Sequence, residues 1–250
     1  MATRYADAVK AVGGLSRPSK MPTLSWSTPP ALTCGTGSKL AVNTETICGS
    51  CYARKGFYAM PDTVRAMARR ERVLREALAD AERGAQFVSN FVTIIRERLA
   101  RTARLIARTG APGRDDGRAF RWHDAGDVVS LAHLRMICAI AEATPEVAYW
   151  LPTKEAGIVR AYLETGAQFP SNLRVRLSVP RLNRGVPPAY ARLAALSPQV
   201  TFAAAHSNTD QAHLWRNGGS FAECGAPAND GECGACRACW TRDEVSYNLH

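Results

Sequence analysis

This 250-residue sequence predicts an α/β fold built on a parallel (β/α) barrel, partial or complete. Three observations carry the prediction. Short strand-like runs alternate with helical ones from Ala119 to His206, the pattern of right-handed βαβ units. The strand-like runs alternate apolar and polar residues, whereas parallel strands buried on both faces read as continuous apolar runs. Hydrophobic residues make up 46% of the chain, enough at this length to bury a large core without covalent staples. The chain therefore reads as a single domain over 1–250. It has a cysteine-containing lead-in at 1–61, arginine-rich helices and a loop at 62–118, βα units at 119–206 and a cysteine-rich metal segment at 207–250.

After a Pro-rich stretch, MPTLSWSTPPALTC, the run PDTVRAMARRERVLREALADAERG predicts a helix with a cap signal at Asp62. A second helix is expected through FVSNFVTIIRERLARTARLIART, with Val92, Ile95, Leu99 and Ile106 on its apolar face. These helices form an amino-terminal insertion before the βα units, and APGRDDGR is the loop that ends it. AFRWH then precedes LAHLRMICAIAEA, AYWLP precedes AGIVRAYLETG, NLRVRLS precedes PPAYARLAAL, and VTFAAAH closes the series. In AFRWH, Phe120 and Trp122 fall on one face and Arg121 and His123 on the other. In NLRVRLS, Leu173, Val175 and Leu177 alternate with Arg174, Arg176 and Ser178. With the apolar faces against helices, the arginines and His123 are expected to line a polar lumen that suits an anionic ligand. The plainer alternative is a sheet face with solvated arginines.

The loops after the strands carry the candidate chemistry, because α/β folds build sites at the carboxyl ends of strands. HDAGD supplies His123, Asp124 and Asp127, PTKE supplies Lys154 and Glu155, and His206 ends the last strand. Each has a structural alternative: Asp127 or Ser130 as a helix cap, Lys154 with Glu155 as a surface pair, and each histidine as a satisfied core residue.

Eight cysteines demand an explanation. The polar amino terminus, MATRYADAVKAVGG, has no apolar run of signal-peptide length, so a reducing cytoplasm and metal binding are expected in place of disulfides. No stretch approaches the ~20 apolar residues of a membrane span. Cys233, Cys236 and Cys239 form C-x2-C-x2-C, with Cys224 upstream as a fourth ligand, and the spacing matches the start of a bacterial ferredoxin run. Zinc is the alternative there, although structural zinc more often uses two separated C-x2-C knuckles. Cys34, Cys48 and Cys51 form C-x13-C-x2-C, three thiolates able to hold a [4Fe-4S] cluster with one iron open to a small molecule. A core role for one of them, or pooling of both groups around one metal, is the competing arrangement, so one cluster and two both stand. Cys138 shares helical spacing with Leu134, Ile137 and Ala141 and reads as core.

Charge opens a second class of function. Thirty-two Lys and Arg against 22 Asp and Glu give +10, which favours polyanionic partners. Arg65, Arg69 and Arg72 share one helix face, as do Arg101, Arg104 and Arg108, at spacings that can track phosphates. A nucleic-acid-binding protein with a structural zinc or iron-sulfur site is thus the alternative to an iron-sulfur enzyme, and a solvated arginine-rich surface is the plain reading.

The CYARKG segment, FRWHDAGD, WLPTKE, NLRVRLS and the terminal CGACRACW with Tyr247 and His250 together resemble the phage-associated family catalogued as gene product 88, from about Met21 onward. That resemblance implies a phage or prophage origin and a cytoplasmic location in a bacterial host. The amino-terminal part also resembles radical S-adenosylmethionine (SAM) enzymes, which hold a [4Fe-4S] cluster on three cysteines above a partial (β/α) barrel. By that resemblance Cys34, Cys48 and Cys51 hold the cluster, Tyr52 is the adjoining aromatic, and the open iron chelates the amine and carboxylate of SAM. Reduction, by a separate reducing partner, then cleaves the sulfonium to a 5'-deoxyadenosyl radical. Arg121, His123, Arg174, Arg176 and His206, with Lys154 and Glu155, would position SAM and an unknown substrate, while the carboxyl-terminal cysteines hold an auxiliary cluster. This chain departs from the family pattern in its wide C-x13-C gap and in lacking a GGE string.

Overall fold

The computed structural model describes residues 2–207, 221–241 and 244–248. Its first helix, α1 (Ala2–Ala11), packs on the long α5 (Ala81–Thr109). Two short helices, α2 (Pro30–Thr33) and α3 (Gly35–Leu40), precede α4 (Pro61–Ala79). Asp80 divides what the sequence suggested into different halves. Its carboxylate accepts from the Arg83 N–H at 2.8 Å and starts α5 six residues before the expected Phe87. Gly110 ends that helix in the left-handed region (φ 77°). Asp62 is not the cap of α4: Met60 occupies that position, Pro61 opens the helix, and Asp62 pairs with Arg65 at the surface.

The βα units follow the expected alternation: β2 (Ala119–Trp122), α6 (Leu131–Ala143), β3 (Ala148–Thr153), α7 (Ala156–Glu164), β4 (Leu173–Ser178), α8 (Pro188–Leu196) and β5 (Val200–His206). Together with β1 (Ser25–Trp26), β6 (Ala222–Glu223) and β7 (Glu244–Asn248) they make a seven-stranded sheet in the order β1-β2-β3-β4-β5-β7-β6. Every neighbouring pair is parallel. The sheet is open, so the fold is the partial form of the expected barrel. A last short helix, α9 (Ala238–Thr241), lies in the cysteine-rich segment.

One face of the sheet carries the main core. Phe120, Trp122, Tyr149, Leu151, Leu173, Val175, Leu177, Val200 and Phe202 meet Phe91 and Ile94 of α5, Leu134 and Ile137 of α6, and Val159 of α7. At its centre Trp26 stands edge-on to Phe87, Phe91 and Trp122 and donates its indole N–H to the Val12 carbonyl at 2.9 Å. Cys138 is buried in the same core.

The opposite, concave face is not an open chamber. Trp240 of α9 packs edge-on against Trp150 and donates to the Phe120 carbonyl at 2.9 Å, and Tyr247 of β7 stacks beside it. The Arg121 guanidinium lies 4.3 Å above the Trp150 ring. Arg176 is fully buried and donates to the carbonyls of Phe202 and Cys239. Of the expected lumen arginines, Arg121 and Arg176 therefore face this side, where the carboxyl-terminal segment covers them.

Candidate functional site

Three segments converge at the carboxyl ends of β2, β3 and β4. The lead-in crosses the loop after β4, where the Ile47 N–H donates to the Pro180 carbonyl and the Leu182 N–H to that of Glu45. It then passes the loop after β2, where the Tyr52 hydroxyl donates to the Asp124 carbonyl. Glu155, just after β3, accepts from the Thr36 N–H at 2.7 Å and the Thr36 hydroxyl at 2.8 Å. These contacts bring Cys34, Cys48 and Cys51 to the strand ends. A Cβ built on Gly37 would lie 3.4 Å from the Cys48 sulfur and 3.8 Å from that of Cys34, so the absence of a side chain there leaves room for both thiols. Burial pushes the Cys34 thiol up to about 12 and that of Cys48 upward, with neighbouring Asp127 and the other thiols adding to the shift and Lys154 opposing it. All eight cysteines are free of disulfides.

Asp127 is a buried carboxylate that organises the floor of this region. It accepts from the Val128 N–H (2.8 Å), the Thr153 hydroxyl (2.6 Å) and the Lys154 N–H (2.9 Å), joining the loops after β2 and β3. Burial pushes it up to about 6 against those hydrogen bonds. It does not cap α6; Ser130 does, accepting from the His133 N–H at 3.1 Å. Asp124 accepts from the Ser25 hydroxyl and, at 2.8 Å, from that of Tyr58. Tyr52 also receives the Arg121 guanidinium at 3.3 Å and stands edge-on to Tyr58. Ser25, Thr36 and Tyr58 were not singled out by sequence reasoning, since each matters only through a residue distant in the chain.

His123 corrects the expected alternation. Its backbone is left-handed (φ 54°), which turns the ring away from Arg121 and into the helix side. There it meets Trp26, Trp122 and His133, buried, and neither ring nitrogen has a hydrogen-bond partner among the described residues. Burial, then Arg121, pushes it down to about 3, so it is neutral and closed off from the strand-end region. His206 is also buried; among the described residues its ring meets Ser246 (2.5 Å) and Glu223 (3.5 Å) on β7 and β6. Arg174 donates to the Pro198 carbonyl near the amino end of its strand. The expected ligand-positioning set is thus dispersed: Asp127, Lys154 and Glu155 stand with the cysteine trio, whereas His123, Arg174, Arg176 and His206 do not.

The carboxyl-terminal cysteines form a second neighbourhood on the concave face. The Cys233 N–H donates to the Lys20 carbonyl, that of Cys236 to Cys233, and that of Cys224 to Ser246 on β7. The Cys239 sulfur lies 3.2 Å from the Tyr247 hydroxyl, and burial pushes its thiol up to about 11. Cys233 is likewise raised, first by burial and then by Cys224 and Cys236. A cleft of about 390 Å³ opens beside this segment, lined by Pro22, Gly113, Arg114, Glu232 and Arg237, near the amino end of β2 rather than the strand ends. His250 lies outside the described residues.

Neither group is closed around a single ion: among the described residues, no three His, Cys, Asp or Glu side chains are gathered tightly enough to enclose one. A single zinc needs its thiolates about 3.8 Å apart, from 2.3 Å bonds at the tetrahedral angle. A cubane binds each thiolate on a different iron and takes a wider set. Among the described residues no helix is long and apolar enough to cross a membrane.

No curated protein and no solved structure matches the chain. A family model described as Gene product 88 matches residues 2–242, nearly the whole length over which the strand-end region and the concave face are built. The chain belongs to the Gene product 88 family.

Proposed function

We propose that this protein is an iron-sulfur protein in which Cys34, Cys48 and Cys51 hold a [4Fe-4S] cluster at the carboxyl ends of the strands, leaving one iron free to take SAM. The observation that carries the reading is the approach of Cys34 and Cys48 across Gly37, with Cys51, Asp127 and Lys154 close enough to shift the charge on both thiols. Such a cluster, when reduced, supplies the electron that cleaves the sulfonium of SAM. The chain's own residues supply position. Glu155 holds the Cys34–Thr36 turn through two hydrogen bonds to Thr36. Asp127 fixes the Lys154 backbone, and the Lys154 ammonium offers a donor for a carboxylate. The carboxyl-terminal cysteines would hold an auxiliary cluster, or a zinc if they close further around it, with Trp240 and Tyr247 beside them.

Iron, acid-labile sulfide and zinc content of anaerobically purified protein tests this reading. The Cys34→Ala/Cys48→Ala/Cys51→Ala variant is expected to lose about four irons with matching sulfide while keeping metal at the other group. The reduced wild type, and not the variant, is expected to bind SAM in anaerobic equilibrium dialysis. Zinc without sulfide in the wild type, or iron unchanged in the variant, removes the proposal.

Glu155→Ala provides a second test, of position alone. Losing the two bonds to Thr36 is expected to cost about 1 kcal/mol at this half-buried site. It should lower cluster retention on gel filtration while Glu155→Gln, which keeps an acceptor, retains more. Equal retention in both variants would show that Glu155 does not place Cys34.

A further inference from the structure

The rim around the cysteine trio exposes large apolar side chains that a free surface rarely carries together. Phe57 is 78% exposed, Tyr52 52%, Met60 49% and Val64 45%. They follow one another along a continuous path: a 3-10 turn at Tyr52–Arg54, another at Gly56–Ala59, then Met60 and the first turn of α4. Cations accompany them. Arg54 reaches across to the Ser38 hydroxyl at 3.3 Å and so lies beside α3, which carries Lys39. Lys55 separates the two turns, and Arg65 stands one turn into α4, where its pairing with the exposed Asp62 is weak. From Gly35 to Met60 the chain holds three cations and one acid, Glu45. On α4 the line continues through Arg69 and Arg72, on the side away from buried Met67, Leu74 and Ala77.

We infer that this rim binds single-stranded nucleic acid, with Phe57 as a base-stacking platform and Arg54, Lys55 and Arg65 on the phosphates. The chemistry is complementary on both counts. An exposed aromatic face takes any unpaired base, and flanking cations track the backbone without reading sequence. A protein partner would match the apolar residues but not the cationic run, whereas a duplex would keep its bases from Phe57. The inference goes beyond the cluster proposed above and does not depend on it.

Fluorescence anisotropy with a labelled oligothymidylate and the matching oligouridylate tests it, each long enough to cover a site of about 4–16 nucleotides. The wild type is expected to bind at low salt, and the tighter of the two strands identifies DNA or RNA as the natural partner. Phe57→Ala is expected to weaken binding about 5- to 160-fold at unchanged salt dependence, because stacking on one aromatic contributes about 1–3 kcal/mol per base. Arg54→Ala/Lys55→Ala should instead reduce the slope of log affinity against log salt by about 1.4, two single-strand phosphate contacts at about 0.7 each. Arg104→Ala/Arg108→Ala, near the end of α5, removes equal charge and should leave that slope nearly unchanged. Phe57 is exposed, so its variant should melt with the wild type. Absence of binding at low salt, Phe57→Ala binding like wild type, or an equal slope change in the α5 control would each overturn the inference. Iron and sulfide assays on the same wild-type preparation separate the two ideas: a cluster without strand binding refutes this one alone, and Phe57-dependent binding without a cluster refutes only the cluster.

Discussion

Gly126→Ala is expected to destabilise the protein by about 3 kcal/mol, combining left-handed backbone strain with overpacking. Gly126 has φ 83°, and a Cβ there would lie 2.1 Å from the Thr28 hydroxyl oxygen, 2.7 Å from that of Thr33 and 2.8 Å from the Thr28 carbonyl. None of these atoms can retreat cheaply. Thr28 donates its N–H to Ala125, and its hydroxyl is 2.9 Å from that of Thr33, which in turn bonds to Pro29. Thr33 directly precedes Cys34, so the displacement is passed to the first cysteine of the trio. In thermal melts the fall should be about 6–12 °C for a chain of this size. Gly157→Ala is the control: a Cβ there meets nothing within 4 Å and the position is inside α7, so it should be neutral or stabilise by up to about 1 kcal/mol. Matching melts for Gly126→Ala and wild type would show that the turn can open, contrary to the packing described.

Acid should unfold the protein through two buried histidines before its carboxylates are exhausted. His123 has a folded-state value of about 3 against an ordinary 6.5, lowered by burial and then by Arg121. As pH falls the unfolded chain takes up this proton first, so the stability is complete above about 6.5 and is lost progressively down to about 3. His133 moves in the same direction, lowered by burial and then by His123. Asp127 acts oppositely. Its folded value of about 6 exceeds the ordinary 3.8, so the folded state binds that proton first and gains stability as pH falls between those two values. The two histidines act together and Asp127 offsets part of their effect, so stability falls as the pH drops through that window. Urea midpoints measured from about pH 7 to about pH 4 should therefore fall steadily. His123→Asn tolerates the left-handed backbone and cannot ionise, so its profile should be much flatter. A variant with the wild-type slope would mean that His123 is not neutral in the fold.

The contrast between two strands shows what could be read in advance. NLRVRLS keeps strict alternation, and Leu173, Val175 and Leu177 enter the helix-side core while Arg176 faces the concave side. Period-2 geometry is a local property, so a local pattern reveals it. AFRWH obeys the same rule as far as Trp122, then fails at His123, because one left-handed residue reverses the direction of its side chain. Nothing in the string HDAG announces that reversal. The concave face shows a different limit. Alternation places Arg121 and Arg176 on it, but only the path of a segment more than fifty residues away decides that Trp240 and Cys239 cover them. The trio is similar: spacing supplied three candidate thiols, while their meeting depends on Glu155 holding Thr36 and on the Tyr52 contact with Asp124. Ser25 and Tyr58, which secure Asp124, left no local signal at all.

The two outermost strands, β1 and β6, are each two residues long, and β1 is further engaged by an antiparallel bridge between Ser16 and Ser25. A parallel sheet with long bare margins would offer a template on which another chain could add a strand. Among the described residues the outermost strands present few free peptide groups for that, so these strands give copies of this protein little means of growing into one another at the high concentrations that strong expression produces.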